Sequence, residues 1–287
     1  MRVLIITVFC SLLVTANAQQ DNLSGMFWNN YAYFNPSLTG FKYHHQAYLN
    51  YRSQWVDGDR TPKDLFANYA VDLANLNFGL GMTYNHEEIG FYSNDKALVN
   101  ASYHIKTGEK SNIAIGVNGG VLLSKLDGTY VNSEGTNLEA TDLQTLFTLD
   151  VGISFQSEIF MLGIGSININ NPSSLSDVDS IFDYVLEPTY NTFLEYKWSL
   201  SDNFSLMPRV MIQTDLIYFT GEVNAQLQFK DKIMLGVGVR TNGSVLLSAD
   251  FDLKKKFRMG YQYELNTGDP LKVFGPSHEA VLGFLIE

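Results

Sequence analysis

Ala97-Leu98-Val99-Asn100-Ala101-Ser102-Tyr103-His104-Ile105-Lys106 decides how this chain is read. Ala97, Val99, Ala101, Tyr103 and Ile105 fall on one face, and Asn100, Ser102, His104 and Lys106 on the other. That is the period of a β-strand with one apolar and one wet side. Residues 222–230 repeat it, with Val223, Ala225, Leu227 and Phe229 set against Glu222, Asn224, Gln226, Gln228 and Lys230. Residues 257–264 repeat it again, with Phe257, Met259, Tyr261 and Tyr263 against Arg258, Gln262 and Glu264.

Working outward, fourteen such segments appear, near 44–55, 63–72, 76–86, 95–107, 111–123, 145–157, 159–169, 189–199, 203–213, 219–230, 232–240, 244–253, 256–264 and 278–287. Most are longer than the roughly 5–6 residues usual in soluble sheets. They match the roughly 9–11 residues with which a tilted strand crosses a bilayer. Pro208 falls inside one segment, where a missing N–H predicts a bulge or a shorter strand. Connections after even-numbered segments are short, as at Ala74-Asn75, Ser201-Asp202 and Lys254-Lys255, whereas 124–144, 170–188 and 265–277 read as longer loops. Short turns on one side and longer loops on the other are the habit of outer-membrane barrels. The expected fold is therefore an all-β transmembrane antiparallel barrel of about 14 strands, with short periplasmic turns, longer extracellular loops and both barrel termini periplasmic.

Composition agrees. The chain of 287 residues is 45% hydrophobic and 13% aromatic, which argues against disorder. Its formal net charge of −11, without a basic run, excludes nucleic acid as a partner. Arg2, the apolar run from Val3 to Val14 and Ala16-Asn17-Ala18 have the three-part order of a secretory signal peptide. The expected division is 1–18 signal peptide, 19–41 periplasmic N-terminal segment or plug, and 42–287 barrel. The single cysteine, Cys10, lies in the signal, so the exported chain has no thiol chemistry.

In lipid the apolar face must point outward and the polar face must line the lumen. The predicted lumen residues include Lys106, Glu195, Arg209, Glu222, Arg240, Arg258 and Glu264, with Arg52, Asp150, Lys197 and Asp250. Trp55, Tyr196, Trp198 and Tyr218 at strand ends fit aromatic girdles. Inward glycines, among them Gly79, Gly116, Gly152, Gly163 and Gly165, leave room for a plug to approach the wall or relieve curvature strain.

No catalytic, cofactor or metal constellation is expected. His86-Glu87-Glu88 has no second cluster. Ser277-His278-Glu279 alternates faces along a strand and cannot form a nucleophile–base–orienter chain. Ser102 and His104 share a face, and this is the nearest approach to barrel-wall hydrolase chemistry. Asp142, Asp177, Asp179 and Asp183 lie in loops without the spacing of a calcium hand.

Asn35-Pro36-Ser37-Leu38-Thr39-Gly40, then Arg52-Ser53-Gln54-Trp55, and finally Ser277-His278-Glu279 occur in that order along the chain. In these motifs the sequence resembles the PorP/SprF family of Bacteroidota outer-membrane proteins. Pro276 stands where the family often has glycine before its Ser-His-Glu, and the chain ends in Glu287 where many barrels end in an aromatic residue. The resemblance implies a non-enzymatic role in the type IX secretion system. It implies as partners outer-membrane lipid, a periplasmic ring lipoprotein and a large secreted adhesin-like or gliding-type client. The motif-matching residues are Asn35, Pro36, Gly40, Arg52, Gln54, Trp55, Ser277, His278 and Glu279. Arg52 and Glu279 stand near the seam of first and last strands and are expected to pair. Trp28, Tyr31, Tyr33 and Phe34 read either as aromatic anchors for a periplasmic partner or as plug packing. A diffusion channel or transporter for small or hydrophobic solutes is the alternative function.

Overall fold

A computed structural model describes residues 24–131, 137–174, 184–254, 256–268 and 271–286. The expectations for the signal peptide, for Asp177, Asp179 and Asp183, and for the Asp142 side chain lie outside the described residues. Fourteen long strands form the wall: β1 (His45–Ser53), β2 (Lys63–Leu73), β3 (Phe78–Ile89), β4 (Tyr92–Gly108), β5 (Ser111–Val131), β6 (Asn137–Ser157) and β7 (Phe160–Ile167). They continue with β8 (Thr189–Tyr196, resumed as Trp198–Ser201), β9 (Phe204–Thr214), β10 (Phe219–Phe229), β11 (Ile233–Arg240), β12 (Ser244–Leu253), β13 (Phe257–Asn266) and β14 (Ser277–Ile286). Each is antiparallel to its neighbours in sequence, and β14 pairs with β1 from Ile286 opposite His45 to His278 opposite Ser53. That last pairing closes the sheet and removes its edges, the only way a sheet satisfies its backbone in hydrocarbon.

The alternation places side chains as its period requires. On β10, Glu222, Asn224 and Gln226 are buried while Val223 and Leu227 are exposed. Met82, Val99, Leu235 and Leu282 are among many outward residues more than half exposed. In water such a continuous apolar surface would be an aggregation face. In a bilayer it is the surface that needs no solvation.

Pro208 does not shorten β9. That strand pairs with β10 over its whole length, from Phe204 opposite Phe229 to Thr214 opposite Phe219. On its other edge the pairing runs to Leu206 opposite Trp198, stops, and resumes at Arg209 opposite Glu195. The gap faces the proline nitrogen, which has no hydrogen to donate. The break therefore falls in the neighbour β8, at Lys197, whose N–H bonds the carbonyl of Ile159 at 2.7 Å.

One loop expectation needs correction. Residues 124–144 are mostly strand, because β5 and β6 stay paired out to Val131 opposite Asn137. The β-forming Thr129-Tyr130-Val131 carries the ladder on. Some connections at the end away from the termini are short, as where β3 and β4 are joined through Gly90 and Phe91, and β11 and β12 through residues 241–243.

Candidate functional site in the barrel lumen

The N-terminal segment fills the barrel. Residues 27–29 and 36–38 form single 3₁₀ turns and residues 31–34 one α-turn. Turns this short are not stable alone. Packing holds them: Met26, Phe27, Trp28, Tyr33, Phe34 and Leu38 are buried against wall residues Tyr48, Phe66, Met161, Phe193 and Met211. Tyr33 meets Phe66 edge-on at 4.9 Å, and Tyr31 lies 4.9 Å from Phe193. The guanidinium of Arg209 sits 4.8 Å over the Trp28 ring. Trp28, Tyr33 and Phe34 are thus buried plug residues, and Tyr31 packs against the same cluster. None of the four is presented as an anchor for an outside partner, because the lumen already covers them.

The plug runs the length of the lumen. Its first described residues lie beside the far end of β1, where Ser24 Oγ donates to Glu279 Oε1 at 2.5 Å and Gly25 N–H donates to Glu279 Oε2 at 2.7 Å. Gln262 Nε2 in turn donates to Gly25 O at 2.9 Å. Midway, Asn29 Nδ2 donates to Asp250 at 3.2 Å, and Tyr31 Oη donates to Glu195 at 2.9 Å. At the end where β1 begins, Ser102 Oγ donates to Thr39 O at 2.7 Å.

The Asn-Pro-x-x-x-Gly motif is the plug's closest contact with the wall. Asn35 caps the turn that Pro36 opens, accepting from Ser37 N–H at 3.0 Å and from Ser37 Oγ at 2.6 Å. Asn35 Nδ2 donates across to Ile153 O at 3.1 Å, and Ser37 Oγ meets Ser154 Oγ at 2.7 Å. These distances are possible because the facing wall lacks side chains. A Cβ on Gly116 would stand 2.3 Å from the Pro36 carbonyl carbon, one on Gly152 2.0 Å from Asn35 Oδ1, and one on Gly165 2.5 Å from Phe34 O. Gly40 itself has φ +68°, a left-handed turn that glycine adopts without penalty.

The Arg-x-Gln-Trp and Ser-His-Glu motifs meet at the seam. Arg52 stands opposite Glu279, with Nη1 3.3 Å from Glu279 Oε2 and Nη2 2.5 Å from Glu264 Oε2. The ladder continues through Arg240, which pairs with Glu264 at 2.9 Å and with Glu222 at 2.6 Å. Trp55 N–H donates to Ser277 Oγ at 3.2 Å, and Gln54 N–H to Pro62 O at 2.9 Å. His278 points outward between Tyr261, whose hydroxyl lies 2.6 Å from Nδ1, and the edge of Tyr263. Ser277 and Glu279 face inward, so the three consecutive residues split between the two faces.

Of the remaining lumen residues, Arg209 pairs with Glu195, and Arg258 pairs with Asp252 at 2.6 Å while reaching Asn29 at 3.3 Å. Lys106 is corrected. It has inward parity but is exposed at the end of β4, where the ladder with β5 is irregular, and so lies at the rim rather than in the lumen. Ser102 Oγ and His104 Nε2 are 2.9 Å apart, but the serine is buried and its hydroxyl donates to the plug. Sequence reasoning passed over Ser24, Gly25 and Asn29. Asn29 carries a readable signal, a polar side chain inside an aromatic run, while Ser24 and Gly25 carry none.

A family model described as type IX secretion system membrane protein PorP/SprF matches residues 16–284. No curated protein matches. Among solved structures, the CymD monoaromatic hydrocarbon channel superposes with a TM-score of 0.55 at 10% identity, covering 93% of each chain. The toluene transporter TodX of Pseudomonas putida gives 0.53 at 8% identity, covering 94% of this chain and 95% of its own. A FadL homologue of Pseudomonas aeruginosa gives 0.51 at 10% identity, over 88% and 92%. At such identities the likeness is one of fold.

Proposed function

Because the chain belongs to the PorP/SprF family of type IX secretion system membrane proteins, we propose that it is a non-enzymatic outer-membrane component of that system. In this reading it supports secretion or surface attachment of a large adhesin-like or gliding-type client and links the membrane to a periplasmic ring lipoprotein. The observation that carries it is the filled lumen. The plug is buried along residues 26–39 apart from the half-buried Tyr31, hydrogen-bonded to both ends of the wall, and seated closely on wall glycines. A barrel closed in this way works through its rims and outer surface, with clients passing elsewhere. The end bearing the short turns and both barrel termini is assigned to the periplasm, where a ring partner would meet it, and the signal sequence implies Sec export.

The second reading is a diffusion channel. It is favoured by the fold shared with barrels described as hydrocarbon channels and a toluene transporter. It requires the plug to move or a path to open through the wall. A clean deletion followed by surface proteomics, with pull-down through a tag on the barrel, tests the main reading. Loss of specific surface proteins and recovery of a ring lipoprotein are expected. Unchanged secretion together with lost solute uptake, or steady conductance of the intact barrel in planar bilayers, would replace it with the channel.

A further inference from the structure

We propose that the β10–β11 and β12–β13 turns form a docking surface for the headgroups of anionic phospholipid in the periplasmic leaflet. Both turns lie on the rim that carries the barrel termini. One presents Lys230 and Lys232, the other Lys254 and Lys256, and all four are exposed. In sequence these are two short pairs, but the sheet makes them neighbours. Strands β11 and β12 are adjacent, and Asp252 N–H donates to Lys232 O at 2.7 Å.

The chain carries a net −11, yet the acids of this sector are already engaged. Asp252 accepts from Arg258 Nε and Nη2 at 2.6 Å each, and Asp231 lies 3.5 Å from Lys197 Nζ. Asp202, on the neighbouring β8–β9 turn, is the remaining acid here. Among the described residues no carboxylate comes within ion-pair distance of the four lysines. Lysines elsewhere are matched: Lys110, on the same rim, sits 2.9 Å from Glu158, and Lys63, at the opposite rim, 3.9 Å from Glu88. The backbone marks the same residues. Lys230, Asp231 and Lys254 have φ of 51°, 52° and 54°, the left-handed region where tight hairpin turns favour glycine and asparagine. Both turns hold lysine against that preference, so its charge and not its turn chemistry is what it supplies.

Depth identifies the partner. Phe229 directly precedes Lys230, and Phe257 directly follows Lys256. Their outward rings pair with Phe204 at 4.9 Å and with Phe284 at 5.3 Å. Aromatic girdles mark the boundary between acyl chains and headgroups. A lysine one residue beyond such a ring lays its stem along the apolar boundary and its ammonium in the headgroup layer. Ammonium groups at that level, without protein counter-ions, match lipid phosphates better than a soluble acidic protein.

The assignment of this rim to the periplasm belongs to the proposed function, but the lipid contact does not depend on secretion, and the purified barrel tests it alone. The full barrel in dodecyl maltoside micelles is titrated with dioleoyl phosphatidylglycerol while its unfolding temperature is followed. The lipid should raise that temperature saturably, dioleoyl phosphatidylcholine should not, and salt should weaken the effect. At about 1 kcal/mol per lysine near an anionic surface, Lys230→Gln/Lys232→Gln and Lys254→Gln/Lys256→Gln should each raise the half-saturating lipid concentration about 30-fold. Lys63→Gln/Lys110→Gln removes as much charge from paired lysines and should respond like the wild type. Native mass spectrometry of the wild type decides without any variant, since it must retain phosphatidylglycerol over phosphatidylcholine. An undiminished response in either folded double variant, or equal retention of the two lipids, overturns the proposal. So does equal stabilisation by inorganic phosphate, which would assign the lysines to a free anion.

Discussion

Substituting Gly116 with alanine should unseat the plug while leaving the wall intact. The new methyl would stand 2.3 Å from the Pro36 carbonyl carbon, 2.3 Å from Ser37 N and 2.5 Å from Pro36 O, all backbone atoms. Ordinary contact begins near 3.4 Å, so the turn at residues 36–38 must withdraw by about 1 Å. Overpacking of this kind costs about 1–3 kcal/mol. The withdrawal also stretches Ser37–Ser154 and Asn35–Ile153, now 2.7 and 3.1 Å. Each buried hydrogen bond lost adds about 0.5–1.5 kcal/mol. The total is about 2–6 kcal/mol against the seated plug, a large share of a typical folding free energy. The strand should tolerate the change, since alanine pairs within a ladder without loss of a donor. With Cys10 in the predicted signal, the exported chain has no cysteine, so Leu38→Cys provides a single reporter thiol. Maleimide labelling should be slow in the parent, where Leu38 is buried, and fast with Gly116→Ala, with conductance appearing in planar bilayers. Gly119→Ala is the control, because its methyl would meet Leu149 at an ordinary 3.4 Å on the outer face. Continued protection of the reporter thiol and a closed barrel in Gly116→Ala would refute the lock between motif and glycine wall.

Arg52→Ala removes the guanidinium shared by the buried carboxylates of Glu264 and Glu279, leaving Glu264 with Arg240 and Glu279 with only the Ser24 and Gly25 donors, and should cost about 3–5 kcal/mol in reversible denaturant unfolding. A loss below about 1 kcal/mol would mean that the seam tolerates the uncompensated charge. Leu227→Arg, on the lipid face, should cost about 2–4 kcal/mol if it lies near the midplane. Lys106→Ala at the rim should stay within about 0.5 kcal/mol, and equal losses from these two would count against the face assignment. Glu279→Gln should free residues 24 and 25 for protease while His278→Ala, one position away on the outer face, leaves them protected; limited proteolysis in micelles separates the two.

Strands and faces were legible because lipid and lumen impose opposite demands on consecutive residues, as Glu222, Val223 and Asn224 show. The seam pair was legible too, since Arg52 and Glu279 sit at matching depths in the first and last strands. What a period of two does not carry is depth. Lys106 has the parity of the lumen yet lies past its edge. The stretch 124–144, read as a loop, is mostly strand whose register comes from its partner. For the plug, the informative signal was shared between distant places. Asn35-Pro36 is an ordinary turn start, and glycines at 116, 152 and 165 are ordinary relief of strand crowding. Only the three strands side by side show that the gaps form one cradle.

The anchoring of Ser24 and Gly25 on Glu279 also governs how the protein is made. These contacts join residues 255 and 254 positions apart, across nearly the whole chain. Pairings of such sequence separation are slow to form, because the loop they close must surrender its freedom first. Glu279 belongs to the final strand, which also closes the wall against β1. Cylinder closure and capture of the leading segment thus depend on the same strand, the last in the chain. A chain cut short before residue 279 loses both the seam and the anchor that holds the first described residues of the plug.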